Sequence, residues 1–88
     1  MRRYRVIVHG RVQGVFFRDT VRRHAEGRGI AGWARNLPDG TVEVVLEGDP
    51  AAVDELVRFC REGPPRAEVE DIEITDEIPE GLNGFAIR

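Results

Sequence analysis

Twice within 88 residues the spacing of apolar side chains changes from the two-residue period of a strand to the three-and-four-residue period of a helix, and then back again. Few chain paths satisfy both changes. Tyr4 to His9 is rich in β-branched residues and reads as a strand ending at Gly10. After a glycine-containing loop, Phe17, Val21 and Ala25 recur at helical spacing, which predicts a first helix stopping near Gly27 and Gly29. Ile30 to Leu37 is a second extended run, closed by a Pro38-Asp39-Gly40 turn in which Pro presets φ and Gly tolerates a positive one. Val42, Val44 and Leu46 alternate with Glu43, Val45 and Glu47, the pattern of a half-buried strand paired back through that turn.

The second switch is the sharper one. Asp49 suits an N-cap and Pro50 the first helical position, and Val53, Leu56, Val57 and Cys60 follow at i, i+3, i+4 and i+7 until Gly63 and Pro64-Pro65 end the helix. Val69, Ile72 and Ile74 form a further strand, and the step of three between the first two predicts a β-bulge. Phe85 to Ile87 is a short final strand. The order is β-α-β-β-α-β plus a small extra strand, an α+β arrangement of the ferredoxin-like, split βαβ type. It implies two helices packed on one face of an antiparallel sheet. No linker, repeat or low-complexity segment divides the chain, so residues 1–88 are read as a single domain.

Charge is distributed unevenly. Residues 1–35 hold nine Arg against Asp19 and Glu26, whereas residues 36–88 hold four Arg against fourteen acids. The basic front half suggests a local anion site, and the acidic remainder argues against a nucleic-acid-wrapping surface. Most of the arginines are expected on solvated strand and helix faces. The chain has no Ser and no Lys, which excludes serine nucleophiles, Schiff-base chemistry and the P-loop lysine. No apolar stretch approaches the ~20 residues of a membrane span, no leader pattern precedes Tyr4, and Cys60 has no partner for an internal disulfide. A cytoplasmic monomer without membrane contact is expected, since no long apolar stretch is left over for an interface.

The segment with chemical content runs from Gly10 to Arg18 (Gly-Arg-Val-Gln-Gly-Val-Phe-Phe-Arg), between the first strand and the first helix. Two glycines let the backbone curl so that N–H groups converge, the helix start adds its positive dipole end, and Arg18 in the first turn can fork onto the same anion. An ordinary strand-to-helix turn with a surface arginine fits that spacing equally well. A second candidate is Gly32-Trp33-Ala34-Arg35-Asn36, where Asn36 is a neutral group able to hold a water, although an Asn capping the turn before Pro38 is the simpler reading. Trp33 is expected as a core or sheet-face anchor. His9 and His24 do not form a metal cluster, His24 reads as a solvated or helix-flank residue, and Cys60 falls on a core stripe. The alternating Glu68 to Asp71 reads as a solvated strand face rather than a calcium loop.

Together the two segments, Gly10-x-Val12-Gln13-Gly14-Val15-x-Phe17-Arg18 and Gly32-Trp33-x-x-Asn36, resemble the paired signature of the acylphosphatase family, and the element order and chain length agree with it. The resemblance implies a phosphate-binding loop formed by Gln13, Gly14, Val15, Phe16 and Phe17, with Arg18 binding the phosphoryl group and Asn36 orienting the attacking water. It implies no metal or other cofactor, an acyl phosphate as small-molecule substrate and inorganic phosphate as product. The chain departs from many relatives in ending on Arg88 rather than an aromatic residue.

The residues alone offer no evident general acid, base or nucleophile, and an acyl phosphate needs none. Its leaving carboxylate has a conjugate acid of pKa about 4 and departs unprotonated. Catalysis then reduces to stabilising phosphoryl charge and placing a water. Three rivals stand beside this reading. A non-catalytic small-anion-binding module of the same fold would have no use for Asn36. An RNA-binding sheet would need exposed aromatics where the third strand carries Glu43 and Glu47. A regulatory domain cut from a larger protein is the third.

Overall fold

Both apolar stripes become helices that share one core against one sheet in the computed structural model, which describes residues 1–88. The elements are β1 (Arg2–Arg11), α1 (Phe17–Gly27), β2 (Ala31–Asn36), β3 (Val42–Gly48), α2 (Pro50–Glu62), β4 (Glu68–Glu77) and β5 (Phe85–Ile87). Phe17, Val21 and Ala25 of α1 and Val53, Leu56, Val57 and Cys60 of α2 pack on Val6, Val8, Ala34, Val42, Val44 and Leu46 of the strands. At α2 the Asp49 carboxylate accepts from the amides of Ala51 and Ala52 at 3.2 and 3.4 Å, with Pro50 beginning the helix. Burial of Cys60 pushes its thiol up to about 12, so it is an inert core group. His24 sits on the flank of α1, stacked on Phe59 of α2 with ring centroids 4.2 Å apart. No helix is long and apolar enough to cross a membrane.

The sheet order is β4-β1-β3-β2-β5. Its four longer strands are antiparallel, but β5 pairs parallel to β2 through Gly32↔Phe85, Trp33↔Ala86 and Ala34↔Ile87, so the sheet is mixed rather than wholly antiparallel. The cause is the 78–84 connection, which carries the chain from the β4 edge to the opposite edge. On the way it passes the end of β3, where the Glu47 carboxylate accepts from the amides of Glu80, Gly81 and Leu82 at 3.0, 2.7 and 2.9 Å. The expected bulge lies in β4: His9 faces Asp71 and Gly10 faces Val69, leaving Glu70 as the extra residue. Gly10 is required there. Its φ is 124°, and a Cβ would stand 2.1 Å from the carbonyl oxygen of Glu68.

One expectation fails on the face of the sheet away from the helices. Strand β3 is buried along its whole length rather than half-buried, with Glu43 only 6% and Glu47 only 2% exposed. The arginines are the reason. Arg3 donates to Glu47 at 3.1 Å and to Glu77 at 2.9 Å, Arg5 pairs with Glu43 and Glu77, and Arg35 donates to Glu43 at 2.6 Å. The guanidiniums of Arg5, Arg35 and Arg88 lie 5.6, 5.2 and 4.6 Å from the centroid of the Trp33 ring, which anchors this face. Arg3, Arg5 and Arg35 therefore roof a layer of buried carboxylates; Arg3 is itself buried, whereas the other arginines are half-buried or exposed, as expected for most of them.

Candidate active site

Where β1 gives way to α1, the backbone takes two left-handed residues in three: Gly14 at φ 73° and Phe16 at φ 63°. Gly14 adopts this freely, whereas a phenylalanine does so at a cost on the order of 1 kcal/mol. Turns of this kind between residues of opposite hand point successive N–H groups into one concavity. Three anchors hold the loop. Val15, between the two, is buried in the core. The carbonyl of Phe16 accepts from the Thr20 amide at 3.1 Å and from the Thr20 hydroxyl at 2.7 Å. The Gln13 amide donates to the carbonyls of Leu37 and Thr41 at 2.8 and 2.9 Å, tying the loop to the β2–β3 turn.

The start of α1 contrasts with that of α2. Phe16 occupies the N-cap position and has no side-chain acceptor, so the first-turn amides of α1 receive no side-chain cap. Asp49 supplies that acceptor to α2. An uncapped helix start with converging amides is a ready anion seat. A cleft of about 270 Å³ opens over it, lined by Gly14, Phe16, Phe17, Arg18, Asp19 and Asn36 with Val12 and Ile87. Arg18 is half-buried, and one of its terminal nitrogens donates to the Arg88 carbonyl at 3.1 Å, which leaves further N–H groups of the fork free.

Asn36 ends β2 and lines the same cleft. The turn it precedes is closed without its side chain: Leu37 and Thr41 pair through their backbones, and Asp39 accepts from the Thr41 amide and hydroxyl at 3.0 and 2.6 Å. That hydroxyl and amide hold the Asp39 carboxyl below its usual range. Turn-capping thus falls to Asp39, and the amide of Asn36 is left facing the cleft. Among the anticipated loop residues, Gly14, Phe16, Phe17 and Arg18 line the cleft, whereas the side chains of Gln13 and Val15 turn to the hairpin and the core. Gly10 belongs to the sheet and not to the loop curl.

Asp19 and Ile87 were not anticipated. Asp19 is the only carboxylate side chain in the cleft, and it is held by Arg22 at 2.7 Å and Arg23 at 3.3 Å. Its adjacency to Arg18 at a helix start was the available signal. Ile87 arrives only through the β2–β5 pairing, for which the sequence carries no local mark. No three His, Cys, Asp or Glu side chains stand close enough to share a cation.

Comparison with known proteins bears on what such a cleft belongs to. The acylphosphatase family model matches residues 4–87. An acylphosphatase of Rubrobacter xylanophilus is 59% identical over 99% of this chain and 80% of its own length, and one of Gloeobacter violaceus is 54% identical over 97% and 91%. The crystal structure of acylphosphatase from Bacillus subtilis superposes with a TM-score of 0.96 at 43% identity, covering all of this chain and 99% of that one. The cleft thus lies on a backbone shared with the Bacillus subtilis structure and in a sequence matched over nearly its whole length by these relatives, and the chain belongs to the acylphosphatase family.

Proposed function

We propose that the chain hydrolyses the carboxyl–phosphate bond of acyl phosphates, releasing a carboxylate and inorganic phosphate, as a cytoplasmic monomer that uses neither metal nor other cofactor. The observation that carries this is the meeting, in one cleft, of an uncapped helix start, the Arg18 fork and an Asn36 amide free of other protein partners. The phosphoryl oxygens take the seat at the first-turn amides of α1 and the loop Gln13–Phe17, with Arg18 forking onto them. Asn36 accepts a hydrogen bond from a water and aims its oxygen at phosphorus in line with the leaving group. As the water oxygen bonds to phosphorus, the bond to the acyl oxygen breaks and its electron pair departs with the carboxylate. The water's proton passes to the phosphate itself, so no titrating side chain is needed. The amides and Arg18 stabilise the charge on the equatorial oxygens, where a loose transition state concentrates it.

A non-catalytic anion-binding module would need the seat and Arg18 but gives no role to Asn36, whose side chain the turn does not use. The roofed Glu43 and Glu47 and the arginine-covered Trp33 leave no exposed aromatic platform for RNA. The reading is tested by phosphate release from benzoyl phosphate in the presence and absence of a chelator, with Arg18→Ala alongside. Turnover that survives chelation and falls at least a hundredfold in the variant is expected. Loss of wild-type turnover on chelation, restored by a divalent ion, would overturn the metal-independent mechanism.

A further inference from the structure

Phe16 is the one cleft residue whose identity its backbone does not explain. Its left-handed conformation favours Gly or Asn, and the loop needs from it only an amide and a carbonyl. The ring nevertheless stands 69% exposed at the lip of the cleft, outside the packed core. Ile87, the other exposed apolar side chain of the cleft, is 36% exposed. The polar groups, Arg18 and Asn36, suffice for the phosphoryl end and the water, which leaves this apolar pair for the remainder of the substrate. Arg18 is the only cation lining the cleft and the phosphoryl end claims it, while Arg22 and Arg23 are committed to Asp19 at the rim. An anionic acyl group would therefore lose its hydration against the apolar pair without meeting a free counter-charge.

Building on the activity proposed above, we infer that Phe16, with Ile87, is the acyl-group contact of the cleft and selects uncharged apolar acyl phosphates, aryl or branched aliphatic, over small or anionic ones. The acyl group lies against the phenyl ring while the phosphoryl end occupies the amide seat. An aromatic acyl group stacks on the ring, and a branched aliphatic one fills the space toward Ile87. Phe16 also lends its backbone to the anion seat, so a substitution disturbs both substrate ends, and only a comparison between substrates isolates the ring.

The test is kcat/KM for acetyl, isobutyryl, succinyl and benzoyl phosphates in the wild type, in Phe16→Gly, which keeps the left-handed backbone, and in Phe16→Trp, which keeps a ring. The ratio of benzoyl to acetyl phosphate should fall roughly tenfold in Phe16→Gly and be retained in Phe16→Trp. Taking the ratio across variants cancels the intrinsic reactivity of each anhydride. In the wild type, succinyl phosphate should be the poorest of the four relative to its size. An unchanged ratio in Phe16→Gly, or equal wild-type preference for the succinyl and isobutyryl substrates, would overturn the inference while leaving the hydrolytic reading intact. Failure of the wild type on all four would instead sink the hydrolytic reading itself. Should Phe16→Gly not fold, the wild-type series and Ile87→Ala, expected to depress isobutyryl more than acetyl turnover, decide the matter.

Discussion

Arg18 and Asn36 line the same cleft but are suited to different parts of the reaction. The guanidinium is charged and planar, matched to two phosphate oxygens at once; the amide is neutral and holds a water without titrating. Asn36→Ala should therefore lower kcat about a hundredfold or more while leaving the competitive Ki of inorganic phosphate within a few-fold of wild type. Unchanged turnover would remove Asn36 from the mechanism. Arg18→Lys should fail to restore what Arg18→Ala loses, because an ammonium is a point charge and cannot fork. Steady-state kinetics on the two variants distinguish geometry from charge, and near wild-type activity of the lysine variant would show that charge suffices. Both residues were picked out only by the resemblance of their paired motifs, because spacing alone fitted a surface arginine and a turn-capping asparagine as well. The separate use of Gln13 was not legible, because its bonds to Leu37 and Thr41 span 24 and 28 residues and carry no local pattern.

At the scale of elements, the two helix starts differ in what satisfies them. Asp49 caps α2 from within, whereas the amides of α1 lack a side-chain cap, and the proposed reading seats the phosphoryl group there. Inorganic phosphate should accordingly stabilise the folded chain, by ~2.7 kcal/mol at a hundredfold excess over Kd, or roughly 10–20 °C in Tm for a domain of this size. Thermal melts across a phosphate series, in the wild type and Arg18→Ala, check this. Stabilisation that persists undiminished in Arg18→Ala would place the phosphate elsewhere. The helices were legible because caps and apolar stripes are local, and so was the β4 bulge, from the step of three between Val69 and Ile72. The direction of β5 was not. Pro79, Gly81 and Gly84 announce turns, but local turn chemistry does not say to which sheet edge the next strand returns.

For the molecule as a whole, that return is tied to the end of β3 by the Glu47 carboxylate. Burial opposes its charge, but the amides of Glu80, Leu82 and Gly81 and the Arg3 guanidinium outweigh burial and hold its carboxyl down at about 2. A carboxyl depressed on folding contributes stability that is fully present above its unfolded value near 4.5 and is lost as pH falls toward 2. Glu77, lowered by Arg5 and Arg3, acts in the same direction. Glu47→Gln should thus cost about 3 kcal/mol at neutral pH, and its deficit against wild type should shrink between pH 5 and 2. Parallel Tm-against-pH curves for the two proteins would show that the charge of Glu47 does not hold the crossover. From the sequence, Glu43 and Glu47 read as solvent-facing, since alternation reveals which residues share a face but not what covers that face.

The crossover delivers Ile87 to the cleft and the Arg88 carbonyl to Arg18, and in the proposed mechanism the cleft supplies charge and water placement but no proton donor. The lack of a proton donor separates two substrates with the same phosphoryl end. Benzoyl phosphate expels a carboxylate without help, whereas phenyl phosphate must expel a phenolate whose conjugate acid has a pKa of about 10. The most direct measurement is kcat for both under identical conditions at neutral pH. Ready turnover of benzoyl phosphate is expected, with phenyl phosphate turned over roughly a thousandfold more slowly or worse and acting at best as a weak competitive inhibitor. Comparable kcat values would require a general acid in the cleft and would overturn the proposed mechanism.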